Sequence, residues 1–178
     1  MAEPKKPRDL GTSVRARLLT LARQKGQAFD LLLTRYANER LLHRLSLSPH
    51  RSRFVLKGAM LMTTWFDDPH RPTRDVDFLG YGDSAPDAML ATFREICAIE
   101  VDDGMVFDID ALRVELIREE IDYGGLRLRT TGTLAGARIT VTIDIGFGDA
   151  IEPGLDEVNL PVLLELPQPR LRVYARET

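Results

Sequence analysis

An α+β domain is the fold class predicted for this 178-residue chain, on three observations. Two amphipathic helical patterns open it, ending near residue 43. A short apolar strand, Phe54-Val-Leu56, and an alternating acidic–apolar strand, Asp75-Val-Asp77-Phe78, occupy the middle. A β-hairpin is legible late in the chain, over residues 125–145. An opening pair of helices followed by strands that include an antiparallel hairpin suits the α+β class.

Length and composition bound the reading. The chain is long enough for one domain with a core of its own and short for two. Its 44% hydrophobic content is that of an ordinary globular protein. Cys97 is its one cysteine, which excludes an intramolecular disulfide. The opening MAEPKKPRDLG lacks the apolar core of a signal peptide, and no apolar run approaches the roughly 20 residues that span a bilayer. A cytoplasmic protein with no membrane partner is expected. Residues 1–60 hold 13 Lys or Arg against 4 Asp or Glu, whereas the remainder holds 11 against 23. The basic half either faces an anionic partner such as nucleic acid or carries arginines that solvate helix faces.

Residues 1–10 read as a disordered polar arm, and 11–178 as a single domain. Thr12 or Ser13 is placed to cap a first helix, with Val14, Leu18, Leu21 and Ala22 at helical spacing and Gly26 as its stop. A second helix is expected from about Gln27 to His43. Phe29, Leu32, Leu33 and Tyr36 share one face, and Arg35, Glu39, Arg40 and Arg44 spread around the rest. Ser46-Leu-Ser48-Pro49 is a turn.

The central stretch, Phe54 to Leu79, carries the chemistry. Phe54-Val-Leu56 reads as a buried strand, Lys57-Gly58 as a turn, and Ala59 to Phe66 as a helix. Gly58 would let backbone N–H groups approach phosphates at that helix's start. Alternation puts Asp75 and Asp77 on one strand face and Val76 and Phe78 on the other. Two such carboxylates either sit on a solvated edge or share a divalent cation, most often magnesium carrying nucleotide phosphates.

Pro86 suits the first position of a helix reaching Ile99, in which Cys97 reads as a small buried hydrophobe. Val101-Asp-Asp103-Gly104 is expected to be a solvated turn, since the spacing of Asp102, Asp103, Asp108 and Asp110 fits no EF-hand loop. Leu112 to Glu119 reads as a strand, and Gly125 to Thr133 and Ala137 to Ile145 as the hairpin. In its second arm Ile139, Val141, Ile143 and Ile145 point one way, and Thr140, Thr142 and Asp144 the other. Asp144 is thus a third carboxylate, which joins the first two if the strands lie side by side. Two metal ions bridged by such a set clamp the attacking and leaving oxygens of a phosphoryl transfer. The tail is proline-rich with two short apolar runs.

Gly58, then Arg71-Pro-Thr73-Arg74-Asp75-Val-Asp77, then Asp144 on a separate strand, resembles the nucleotidyltransferase superfamily. The flanking text, Arg35-Tyr-Ala-Asn-Glu39-Arg40, Arg44-Leu-Ser-Leu-Ser48, Phe54-Val-Leu-Lys57-Gly58 and the tail from Arg170 to Thr178, is similar to the AbiEii/AbiGii toxins of bacterial abortive-infection and toxin–antitoxin systems. That resemblance implies a mixed sheet flanked by helices, and Mg2+ or Mn2+ with a nucleoside triphosphate as substrate. It also implies transfer of a nucleotide to an acceptor such as a tRNA end, and a cognate antitoxin as partner. On it, Asp75, Asp77 and Asp144 are the catalytic and metal-holding residues, while Lys57, Gly58, Arg71, Thr73 and Arg74 contact the nucleotide. Ala59 stands where a serine or second glycine is usual. Relatives typically continue into a helix bearing a lysine motif, so a truncated member and a non-catalytic remnant that binds a cognate antitoxin or RNA through its basic N-terminal half are alternatives. A kinase-like protein phosphotransferase, which would use the same metal carboxylates, is another.

Overall fold

The computed structural model describes residues 7–57, 75–117, 124–148 and 157–173. Gly58, Arg71, Thr73, Arg74 and the helix expected over Ala59 to Phe66 lie outside them. The first helix, α1, spans Pro7–Lys25. Thr12 and Ser13 therefore lie in its second turn instead of capping it, and residues 7–10 are helical. Proline is at home in a first turn, where its missing N–H is no loss. Gly26 ends α1 in the left-handed region, φ 63°, and the Gln27 N–H donates back to the Ala22 carbonyl at 3.0 Å.

The second helix, α2, runs Phe29–Leu47 and stops where Ser48 turns extended. A 3-10 turn, Arg51–Arg53, leads into β1, Phe54–Lys57. The other elements are β2 (Asp75–Gly80), α3 (Pro86–Cys97), β3 (Met105–Phe107), β4 (Arg113–Ile117), β5 (Gly125–Leu134), β6 (Ala137–Phe147), β7 (Glu157–Asn159) and β8 (Arg170–Arg172). With three helices and a mixed six-stranded sheet among the described residues, the fold is α+β.

In the sheet the order is β1-β2-β6-β5-β3, with β4 also on β5. Every pairing is antiparallel except β2 with β6, which is parallel. β7 and β8 form a separate ribbon, joined to β1 by a Leu56–Val173 bridge. The hairpin turn is Ala135-Gly136, both at positive φ (45° and 82°). That two-residue geometry matches the twist of the flanking strands and fixes their register.

The inward sheet face, Val76, Phe78, Leu126, Leu128, Val141, Ile143 and Ile145, packs with α2 and α3 residues into one core. Phe54, Phe78 and Phe93 meet there as tilted and edge-on rings, with centroids 5.3–6.5 Å apart. Cys97 is buried beside them, as expected, and burial pushes its thiol up to about 12. A thiol held neutral in this way is no nucleophile at ordinary pH.

Burial of α2 departs from expectation. Glu39, Arg40 and Arg44, expected to spread around the helix outside its apolar face, are buried, and so is His43. The helix is enclosed on its polar side as well, by the turn at 99–105 and by the segment at 163–167. Arg40 donates to the Pro167 carbonyl, and Glu39 accepts the Leu163 N–H at 3.1 Å. The 101–104 turn is corrected too: Asp103 is fully buried against Arg44 instead of facing solvent. Tyr36 donates to the Asp103 carbonyl at 2.6 Å and lies under the Arg40 guanidinium, 5.9 Å from ring centre.

Burial pushes the Glu39 carboxyl up to about 7, against the Leu163 N–H and the charges of Arg35 and Arg40, which lower it. A raised acid favours folding while protonated, so its contribution is complete below its ordinary value of 4.5 and lost as pH climbs to about 7. Between those limits the loss is on the order of 3 kcal/mol. Glu39→Gln should abolish that part. Urea midpoints at pH 5 and pH 8 are expected to fall further for the parent chain than for the variant, and parallel shifts would refute the assignment.

Candidate active site

On β2 the burial alternates, with Val76, Phe78 and Gly80 inward and Asp75, Asp77 and Leu79 half-exposed. β6 alternates in step, so Thr140, Thr142, Asp144 and Gly146 share the outward face with the β2 aspartates. Parallel pairing sets Asp77 directly opposite Asp144 and Asp75 opposite Thr142. The same row continues on both sides: Lys57 of β1 is opposite Asp77, and Arg127 of β5 is opposite Asp144. Four adjacent strands therefore present Lys57, Asp77, Asp144 and Arg127 in a line, two carboxylates flanked by two cations.

Spacing and charge decide what this row can do. Neighbouring strands lie about 4.8 Å apart, close enough for facing carboxylates to repel. Burial is the first cause that raises the Asp77 carboxyl above the usual range, with Asp144 next; Lys57 pulls it down, Asp75 adds to the rise and Arg127 opposes it. Lys57 reaches across the sheet: a methyl group built on Gly146 would stand 3.2 Å from its Nζ. Its ammonium thus overlies β6, two residues past Asp144.

Arg127 grips Asp144 with both arms of its guanidinium, Nε to Oδ1 at 2.7 Å and a terminal nitrogen to Oδ2 at 3.0 Å. This bond raises the Arg127 pKa further above its ordinary value. Sequence reading missed Arg127, although its signal was present. A two-residue turn at Ala135-Gly136 pairs residues 134 and 137, and counting back along the ladder sets 127 against 144.

Asp75 lies one step along the sheet. It lines a cleft of about 300 Å3 with Thr140, Thr142 and Arg138 of β6 and Asp30, Leu33 and Thr34 of α2. Among the described residues no three acidic, histidine or cysteine side chains stand close enough to hold one ion. What the sheet brings together is the Asp77–Asp144 pair, with Asp75 two residues away on the same face. Its donor chemistry suits a divalent cation: hard carboxylate oxygens, half-buried, with the Asp77 pKa raised in part by the other two aspartates. No described helix is long and apolar enough to cross a membrane.

Two solved structures from Helicobacter pylori resemble this fold. One is JHP933, with 14% identity and a TM-score of 0.43 over 75% of this chain. The other is described as a candidate nucleotidyltransferase, with 16% identity and a TM-score of 0.41 over 75% of this chain. The chain spans 47% and 48% of their respective lengths. No curated protein sequence matches it. The family model of the AbiEii nucleotidyl transferase toxin, of type IV toxin–antitoxin systems, matches residues 40–178, and a match over more than half of the chain shows that it belongs to that family.

Proposed function

We propose that this chain is a metal-dependent nucleotidyltransferase toxin that moves a nucleotide from a nucleoside triphosphate to an acceptor hydroxyl, with the end of a tRNA as the acceptor. The observation that carries the reading is the Asp77–Asp144 pair, side by side and flanked by Lys57. In the reaction the acceptor oxygen bonds to the α-phosphorus, the bond to the bridging oxygen of the β-phosphate breaks, and pyrophosphate leaves. Asp77 and Asp144 would hold Mg2+ or Mn2+ between them, with Asp75 adding a carboxylate from two residues along the same face, and the metal would supply charge stabilisation for the attacking and leaving oxygens. Asp144 also helps activate the attacking hydroxyl. Lys57 contacts phosphate as a point charge, while Arg71 and Arg74 can grip phosphate oxygens with two N–H groups. Gly58 and Thr73 complete the nucleotide contacts. A cognate antitoxin restrains the enzyme, and the cytoplasm is where both act in toxin–antitoxin or phage defence.

Transfer of label to bulk tRNA with Mg2+ tests the reading. Label from the α-phosphate of one nucleoside triphosphate is expected to appear on the acceptor. Label from the γ-phosphate on a protein acceptor would instead indicate a kinase-like phosphotransferase. No label from either position would make the chain a remnant that keeps the fold. Binding gives an independent check. A triphosphate at 100 times its dissociation constant should stabilise the fold by about 2.7 kcal/mol. Asp75→Ala is expected to erase that Mg2+-dependent stabilisation while leaving the ligand-free melting temperature within a few degrees. A stabilisation that survives the substitution would remove Asp75 from the site.

A further inference from the structure

Arg127 uses both arms of its guanidinium on one carboxylate, and that carboxylate faces Asp77. The acid opposite Arg127 on its other side, Glu115, is taken by Arg129 at 3.2 Å. Arg127 and Asp144 therefore form a closed pair at one end of the row, 32% and 21% exposed. A guanidinium on a carboxylate is a strong and geometrically selective contact. It is also a cation standing on an oxygen pair that a divalent ion would use. Two cations on one carboxylate repel, so the gain from binding the second is reduced. Lys57, on the far side of the pair, contributes charge but overlies Gly146 and reaches past the carboxylates.

We propose that Arg127 is the resident counter-cation of Asp144, occupying its two oxygens while the site is free of metal and competing there with the divalent cation. This rests on the reading of Asp77 and Asp144 as a cation-binding pair. Arg127 then acts as a positioning residue: it holds Asp144 outward in the row, offsets the repulsion from Asp77, and sets how much divalent cation the site demands. Its side chain is 32% exposed, which gives the guanidinium a solvent route by which to withdraw.

The test measures Mn2+ binding to the whole chain without nucleotide, by loss of the free Mn2+ electron paramagnetic resonance signal. Arg127→Ala is expected to bind Mn2+ about tenfold more tightly than the parent chain, a change worth ~1.4 kcal/mol. Arg129→Ala, which removes the same charge from the neighbouring row, should change the affinity by less than about threefold, because exposed charges at longer range are screened. Asp77→Ala should lose the binding. Arg127→Gln, with the same expectation, serves if the alanine variant does not fold by circular dichroism. Unchanged or weaker binding in the Arg127 variants, with Asp77-dependent binding in the parent, would overturn the competition and leave the cation site standing. An equal gain in Arg129→Ala would overturn it too, reducing the effect to net charge. Binding indifferent to Asp77, or none in any variant, would bring down the carboxylate site and this proposal together.

Discussion

Asp77→Asn should abolish nucleotide transfer and at the same time raise the melting temperature at neutral pH. The substitution keeps the shape of the side chain and removes its charge. Loss of groups that merely support metal ligands typically reduces activity by roughly 10–100-fold. Losing a ligand removes several kcal/mol of transition-state charge stabilisation, so the fall should exceed about a thousandfold. Stability should move the other way. The Asp77 carboxyl is raised by burial and by Asp144, so its ionisation opposes folding once pH passes the ordinary carboxylate range. An asparagine there has no proton to lose. The gain should therefore be absent below about pH 4, where aspartate is protonated in both states, and grow as pH rises.

That pairing of outcomes discriminates. A residue kept for structure loses stability when it is changed, whereas one kept for chemistry at the fold's expense gains it. Radiolabel transfer and thermal melts at pH 4 and pH 7.5, on the same two proteins, give both readings. If transfer persists within tenfold of the parent, Asp77 is not a ligand. If the melting temperature falls at pH 7.5, the like-charge repulsion is relieved by some other means.

Much of the site could be read in the chain because a strand's side chains alternate with a fixed period. Asp75 and Asp77 on one face, and Asp144 on the face of Thr140 and Thr142, needed only that rule, and β2 and β6 obey it. The parallel contact between those strands was conditional from sequence, because it joins segments some seventy residues apart with no turn to set their register. Arg127 was accessible through the hairpin but hidden by its neighbours, since Arg127 and Arg129 look alike until the ladder is counted. The misread positions, Arg40, Arg44 and Asp103, share one cause. Charged residues are almost never fully buried unless partnered, and the partners here are distant in sequence: 59 residues separate Arg44 from Asp103, and 127 separate Arg40 from the Pro167 carbonyl. Local pattern sees a polar helix face and a polar turn, and each taken alone belongs in solvent.

Arg44→Ala should be the most destabilising single substitution outside the sheet. Its guanidinium meets Asp103 at 2.7 and 3.1 Å, donates to the carbonyls of Ile99, Arg40 and Met105 at 3.0–3.1 Å, and lies 5.0 Å from the centre of the Phe107 ring. One side chain thereby joins α2 to the end of α3's connection and to β3. Alanine would strand the Asp103 carboxylate, fully buried, with the Met105 N–H as its remaining donor among the described residues. Breaking a buried pair from one side costs about 3–5 kcal/mol, because an uncompensated charge stays behind. A total stability of roughly 5–15 kcal/mol leaves the variant partly unfolded at 37 °C or close to it. The double variant Arg44→Met with Asp103→Leu separates the two contributions. It removes both charges, keeps apolar volume, and should recover part of the loss, as replacement of buried ion pairs by hydrophobic residues often does. Recovery cannot be complete, since the three carbonyls that Arg44 serves would each lose a donor. Urea unfolding of the parent, single and double variants checks the order. A single variant within about 1 kcal/mol of the parent would mean that water reaches Asp103 once the guanidinium is gone. The enclosure of α2, which makes its charged residues internal, would then be looser than the packing around Arg44 requires.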